Sequence, residues 1–147
     1  MGLIKDVTLT PLRIIENPSG NILHAMKQQE SSFAGFGEAY FSTVGYGVVK
    51  GWKKHTKMVL NLVVPCGCIL FVLFDGRTGT ATSGQIMEIT LSTTNYQRLT
   101  VPPGVWMAFK GMTTGLNMLL NIASIPHDPG EAENLPLQNP LIPYTAF

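Results

Sequence analysis

An all-β sandwich or barrel is the fold this sequence predicts, and three observations carry it. Short stretches rich in Val, Ile, Thr, Phe and Tyr recur along the chain, separated by turn signals such as Asn17-Pro18-Ser19-Gly20 and Pro102-Pro103-Gly104. From Gln85, the residues Met87, Ile89 and Leu91 alternate with Glu88, Thr90 and Ser92, the period of two expected of a half-buried strand. Helical periodicity is almost absent, which leaves the all-β architectures.

Taken in order, Val7 to Ile15 predicts a strand, and Asn21 to Met26 a second strand or a short helix beyond the Asn17–Gly20 turn. Lys27 to Ser32 is polar and reads as a loop. Phe36 to Val44 carries the aromatic and β-branched residues of the next strand. A Gly45-Tyr46-Gly47 turn leads into Val48 to Trp52. Met58 to Val64 and Ile69 to Phe74 predict a hairpin about Pro65-Cys66-Gly67-Cys68, closed by Asp75-Gly76. Arg77 to Gly84 reads as a loop, and short strands at Arg98 to Val101 and Val105 to Phe109 flank the Pro-Pro-Gly turn. Leu116 to Ala123 has a helix-favouring composition, but its short length after a run of strands points to a last strand. From Ile125 onward five prolines predict an extended tail that wraps the domain or a partner subunit, or is partly disordered.

The 147 residues are enough for one domain, 1–147, with the tail occupying 125–147. Charged residues make up 13% and the formal net charge is +1, so there is no broad basic face for a nucleic acid. Basic residues gather only at Lys50, Lys53, Lys54 and Lys57, which suits a small anionic ligand; a solvated strand end accounts for them equally well. The apolar run from Met58 to Phe74 is broken by Asn61, Pro65 and Gly67 and falls short of the ~20 residues of a membrane span. The start, MGLIKDVTLTPL, has no apolar core for a signal peptide, so the cytoplasm is expected. Cys66 and Cys68 are expected to be free, buried thiols in a reducing compartment, being too close along the chain to bridge easily.

Gly47 to Gly67, GVVKGWKKHTKMVLNLVVPCG, has a spacing that matters more than its composition. After Gly47, five residues precede Lys53-Lys54-His55, four more precede Leu60, and six more precede Gly67. That spacing resembles the first cupin motif, and Pro102-Pro103-Gly104-Val105-Trp106-Met107 resembles the core of the second. The resemblance narrows the fold to a cupin-type double-sheet jelly roll. Where metal-binding cupins carry His, His, Glu and His, this chain has Lys53, His55, Leu60 and Met107. A single imidazole does not make the three- or four-ligand set of a catalytic metal, so a metal-free barrel without cofactor is expected.

Three further segments, in order and spacing, resemble the dTDP-4-dehydrorhamnose 3,5-epimerase family, from about Phe36 to about Asn121. Phe36-Gly37-Glu38-Ala39-Tyr40 is similar to the family's Phe-x-Glu-x-Phe strand. Gly47-Val48-Val49-Lys50-Gly51-Trp52-Lys53 is similar to Gly-Val-Leu-Arg-Gly-Leu-His, and Arg98 to Gly104 to Gln-Leu-x-Ile-Pro-Pro-Gly. The resemblance implies a nucleotide-linked 4-keto sugar as ligand and enolisation beside its ketone. It also identifies departures: the family's catalytic histidine falls at Lys53, its second pocket histidine at Met107, its phosphate-binding arginine at Lys50, and its tyrosine near Leu119 or Leu120.

On this reading His55 and Lys53 are the candidate catalytic residues. Lys50, Lys57, Glu38, Trp52, Trp106 and Met107 are the candidates for binding substrate. Alternation sets Lys53 and His55 on one strand face. Each has a plainer reading beside it: a structural histidine, solvated lysines, and for the two tryptophans packing within the barrel wall. Tyr40 either reaches ligand or belongs to the core, and His24 and His127 have no assigned role. Loss of the family's histidines equally fits a non-catalytic binding protein, and the Lys53-Lys54-His55 spacing a sugar 3,4-ketoisomerase. A homodimer is expected, because cupin sheets of this size leave edge strands and apolar faces to cover.

Overall fold

The computed structural model describes residues 2–147, and its regular structure is twelve strands and one 3-10 turn. The strands are β1 (Thr8–Pro11), β2 (Ile14–Ile15), β3 (Ile22–Leu23), β4 (Glu38–Thr43), β5 (Val49–His55) and β6 (Leu60–Cys66). They continue as β7 (Cys68–Asp75), β8 (Ile86–Ser92), β9 (Gln97–Val101), β10 (Val105–Gly111), β11 (Met118–Ala123) and β12 (Ala132–Asn134). Two five-stranded antiparallel sheets form, ordered β1-β9-β6-β11-β4 and β12-β5-β10-β7-β8, and β2 and β3 make a separate ribbon. This is the cupin-type double-sheet jelly roll. Asn21–Met26 thus supplies a short strand and no helix.

Met58–Val64 and Ile69–Phe74 do not pair as a hairpin. β6 bonds to β9 and β11, whereas β7 bonds to β10 and β8, so the chain changes sheets at Gly67. Gly67 has φ +79°, and a Cβ there would sit 2.2 Å from the Leu116 carbonyl oxygen. A sheet-to-sheet corner and a hairpin turn carry the same local signal, two apolar runs about a glycine. The neighbouring thiols differ from expectation too: both are free, but Cys66 is exposed and Cys68 half-buried.

Two apolar layers result. Leu60, Leu62 and Val64 on β6 meet Ile69, Phe71 and Leu73 on β7 between the sheets, joined by Met87 and Leu91 from the inner face of β8. The second layer lies on the outer face of the second sheet, where Trp52, Val72, Phe74, Trp106 and Ala108 pack under Ile142, Leu135, Leu137, Tyr144 and Phe147. The proline-rich tail therefore wraps its own domain. Trp52 is fully buried there, its ring 6.3 Å from Tyr144 and 5.8 Å from Phe147. Burial of a side chain of this kind stabilises by about 1.5–3 kcal/mol.

One irregularity decides which residues share a face of β5. Met107 pairs with Lys53 and Phe109 with Lys50, so Gly51 and Trp52 together stand opposite Ala108. This two-against-one bulge shifts the alternation by one residue. Lys50 consequently joins Lys53 and His55 on the inner side, while Trp52 and Lys54 turn outward. Gly51 has φ +138°, and a Cβ on it would lie 2.6 Å from the Cα and Cβ of Ala108 and 2.8 Å from the Met107 oxygen.

A buried ion pair fixes the loop between β7 and β8. The Asp75 carboxylate is inaccessible to solvent and accepts bonds from Arg77 Nε (2.8 Å), Thr80 Oγ1 (2.8 Å) and Thr82 Oγ1 (2.7 Å). Arg77 also bonds the Lys5 carbonyl oxygen at 2.6 Å, tying the N-terminal segment to this loop. Burial alone would raise the Asp75 carboxyl; the bonds from Arg77, Thr82 and Thr80 outweigh it and hold the group far below the usual carboxylate range.

Two expectations follow. Gly51→Ala should lower unfolding stability in urea by about 3 kcal/mol or more, since strained backbone and overpacking add at this site; a loss below about 1 kcal/mol would contradict the bulge packing. A carboxyl with a depressed native pKa contributes stability that is complete above its unfolded value of about 3.9 and disappears as pH falls through the native one. Asp75→Asn should therefore cost about 3 kcal/mol at neutral pH and flatten the fall of melting temperature below about pH 4. An unchanged acid limb in the variant would assign that fall to other carboxyls.

Candidate functional site

A cleft of about 480 Å³ opens between the two sheets. The second sheet contributes Lys50, Gly51, Lys53 and His55 from β5 and Met107 and Phe109 from β10. Facing them from the first sheet are Tyr40 and Ser42 on β4, Leu60 and Leu62 on β6, and Leu119 and Asn121 on β11. The four positions matched to cupin ligands, Lys53, His55, Leu60 and Met107, do converge here. Their donors remain a poor fit to a metal. Among the described residues no three His, Cys, Asp or Glu side chains come together as a ligand set.

His55 is oriented by a residue that its neighbourhood in sequence does not announce. Its Nδ1 hydrogen-bonds the Glu131 carboxylate, which comes from the tail and is only 2% exposed. The second oxygen of that carboxylate accepts the backbone N–H groups of Thr56 (3.2 Å), Lys57 (3.1 Å) and Met58 (3.1 Å). Burial pushes the Glu131 carboxyl up, but the bonds from His55 and from the Lys57 and Met58 amides prevail and keep it below its ordinary value. An anionic partner on Nδ1 leaves Nε2 as the nitrogen available to take a proton.

Asp128 makes the approach of Glu131 geometrically definite. It caps the 3-10 turn Pro129–Glu131, accepting the Gly130 N–H at 3.0 Å, with Pro129 at the first turn position. β12 then pairs with β5, Ala132 opposite His55 and Asn134 opposite Lys53. Asn134 thereby reaches the cleft rim. An Asp-Pro-Gly-Glu stretch signals the turn in the sequence, but nothing local ties it to a histidine 76 residues away.

The lysines divide by role. Lys50 Nζ donates to the Thr43 carbonyl oxygen at 2.6 Å, which holds its ammonium at the mouth between the sheets. Lys53 lines the cleft and has no ion-pair partner among the described residues. Lys54 points outward, bonded to Glu133 at 2.8 Å with its Nζ 5.1 Å from the centre of the Trp106 ring.

Other expected binding residues lie elsewhere. Trp52 and Trp106, 0% and 4% exposed, are packed under the tail on the outer face and do not line the cleft, because the parity of β5 and β10 turns them away. Lys57 also lies outside the lining, serving Glu131 through its backbone amide. Glu38 stands at the start of β4 opposite Ala123, beyond the lining residues. Nothing local in the sequence marks Ser42 or Asn121, although Ser42 shares a face of β4 with Tyr40 and Asn121 a face of β11 with Leu119.

A groove of about 660 Å³ along the tail is larger but has no charged side chain in its lining. Its one ionisable side chain, the Tyr144 phenol, is pushed up to about 12 by burial and by its bond to Glu88. Acid-base chemistry therefore points to the inter-sheet cleft.

No protein-family model matches the chain. A solved dTDP sugar isomerase from Desulfovibrio desulfuricans is 38% identical, aligns over 97% of this chain and 91% of its own, and has a TM-score of 0.93. A probable low-salt glycan biosynthesis epimerase of Haloferax volcanii is 25% identical over 130 residues, 87% of this chain and 83% of that protein. The dTDP-6-deoxy-D-glucose-3,5-epimerase of Legionella pneumophila, solved with dTDP-4-keto-L-rhamnose, shares the fold at 18% identity, TM-score 0.83, over 96% of this chain and 78% of its own. Among the described residues no helix is long and apolar enough to cross a membrane. With the doubled cupin spacing, the double-sheet jelly roll and a 38% identical relative spanning nearly the whole chain, this protein is a short, divergent member of the dTDP-4-dehydrorhamnose 3,5-epimerase family.

Proposed function

We propose that the cleft binds a nucleotide-linked 4-keto sugar and enolises it next to the ketone, as an epimerase or isomerase. The observation that carries this is the His55–Glu131 pair, an oriented imidazole inside a cleft whose other charges are the ammonium groups of Lys50 and Lys53. Similarity to a dTDP sugar isomerase and to a glycan biosynthesis epimerase supports the substrate class.

A ketone at C4 acidifies the C–H bonds at C3 and C5. His55 Nε2 accepts one of these protons, and Glu131 stabilises the imidazolium that forms. Lys53 offsets the charge growing on the ketone oxygen, a placement that lowers the barrier because the ammonium is already in position. Lys50, a point charge without the bidentate fork of arginine, holds the diphosphate at the mouth. Leu60, Leu62, Met107, Phe109 and Leu119 give the cleft an apolar floor that strengthens these interactions by excluding water.

A second reading is a sugar-nucleotide-binding protein without turnover. It is favoured by the apolar Met107 and Leu119 of the cleft lining, Met107 at the position matched to the family's second pocket histidine and Leu119 at or next to the one matched to its tyrosine. We further propose a cytoplasmic homodimer, with the exposed edge strand β4, its uncovered Phe41 and the exposed Phe36 just before it meeting a second copy.

Incubation with a dTDP-linked 4-keto-6-deoxyhexose in deuterium oxide, followed by proton NMR, should show loss of the C3 or C5 signal. His55→Gln and Lys53→Met should each slow that loss by about 100-fold or more, and Glu131→Gln by about tenfold. Binding with no exchange would select the non-catalytic reading; undiminished exchange in both the His55 and Lys53 variants would remove the site assignment. Sedimentation should give about twice the 16.0 kDa chain mass, and a single 16.0 kDa species would exclude the dimer.

A further inference from the structure

We propose that Tyr40 is the proton donor that completes inversion, delivering a proton to the face of the sugar opposite His55; this rests on the enolisation proposed above. Four side chains in the cleft lining carry a proton that can be transferred. Lys50, Lys53 and His55 all belong to β5, and Tyr40 alone belongs to the opposing sheet. Because the two sheets pack face to face around a shared core, phenol and imidazole meet a bound sugar from opposite walls. Inversion at carbon requires that disposition: a base that removes a proton and returns it from the same side regenerates the starting configuration.

The phenol is held for the task. Asn121, its register partner on β11, donates Nδ2 to the Tyr40 oxygen at 2.9 Å. A donor fixed on that oxygen directs the phenolic hydrogen away from Asn121 and stabilises the phenolate left after transfer. The other end of the same amide is informative. Asn121 is 4% exposed, yet its Oδ1 is buried without a hydrogen-bond partner. Buried polar atoms in native proteins nearly always have partners, and an orphan in a cleft wall marks a place where a ligand supplies one. A sugar hydroxyl donating to Oδ1 would lie beside the Tyr40 oxygen, within reach of the carbon to be reprotonated.

The step balances within the site. Neutral His55 takes the proton as the C–H bond breaks, and the electron pair moves into the enolate. The Tyr40 O–H bond then breaks as a new C–H bond forms on the other face, leaving phenolate and imidazolium. Exchange with water returns a proton to the one and removes it from the other, with no oxidant, reductant or further reactant.

The test is Tyr40→Phe, which deletes one hydroxyl from a side chain 46% exposed, so the fold should hold and thermal melting checks it. With a dTDP-linked 4-keto-6-deoxyhexose in deuterium oxide, formation of the inverted sugar should fall by about 100-fold or more. Deuterium should still enter the recovered starting sugar at a rate close to that of the wild type, because His55 works alone from its own side. His55→Gln should stop both. Inversion at the wild-type rate in Tyr40→Phe, or a parallel fall of exchange and inversion, would overturn the assignment. If the wild type itself shows no exchange, the enolisation reading fails and the acid role goes with it; exchange in the wild type with normal inversion in Tyr40→Phe removes the acid role alone.

Discussion

The site depends on one buried carboxylate. Glu131 gathers the His55 ring and the three backbone amides that follow β5, and it brings the tail onto the barrel in doing so. A carboxylate this deeply buried is tolerable only when its oxygens are well satisfied, and here charge-assisted bonds to a ring nitrogen and peptide N–H groups do so. The same bonds fix the end of β5, the orientation of the imidazole and the start of β12. Packing of the tail and geometry of the cleft are thus parts of one arrangement: Trp52 rests beneath the tail, with Lys53 on the adjoining inner position and His55 two residues further on.

The bulge at Gly51 and Trp52 lets a single strand serve both purposes. Strict alternation would put Lys50 on the outer face with Trp52 and Lys54. The extra residue moves Lys50 inward, so two ammonium groups and an imidazole share one wall while a fully buried indole secures the other. Only glycine meets the backbone and contact demands at position 51, which explains why the local Lys-Gly-Trp-Lys pattern contains one.

Much of this was legible in the sequence. Period-two patterning located β8, turn residues separated the other strands, and the cupin spacing brought Lys53, His55, Leu60 and Met107 to one place. What could not be read depends on non-local facts. Leu60–Cys66 and Cys68–Asp75 look like hairpin partners because local sequence specifies a turn but not which sheet each arm joins. The tryptophans looked like ligand platforms because an aromatic beside a motif residue gives no parity, and parity across a bulge is settled only by the pairing register. Glu131 and Asn121 were silent because their roles arise from partners at 76 and 81 residues' separation.

The cleft also clarifies how a scaffold can outlast its family's usual side chains. Lys53 occupies the position matched to the family's catalytic histidine, and His55 lies two residues further along the same face. A shift of two preserves strand parity, so an imidazole still enters the cleft, and the tail supplies Glu131 as the carboxylate that orients it. Lysine at 53 in turn adds a positive charge to the same wall. That charge stays in contact with solvent, because Lys53 is exposed at the open cleft and has no ion-pair partner among the described residues. On the opposite wall Leu119 is apolar, while Ser42, Tyr40 and Asn121 supply the polar atoms. For the enolisation proposed above, an acid or base is constrained less by the strand position that carries it than by the wall it stands on, since a planar enolate exposes two faces and the polar groups of this cleft stand on two walls.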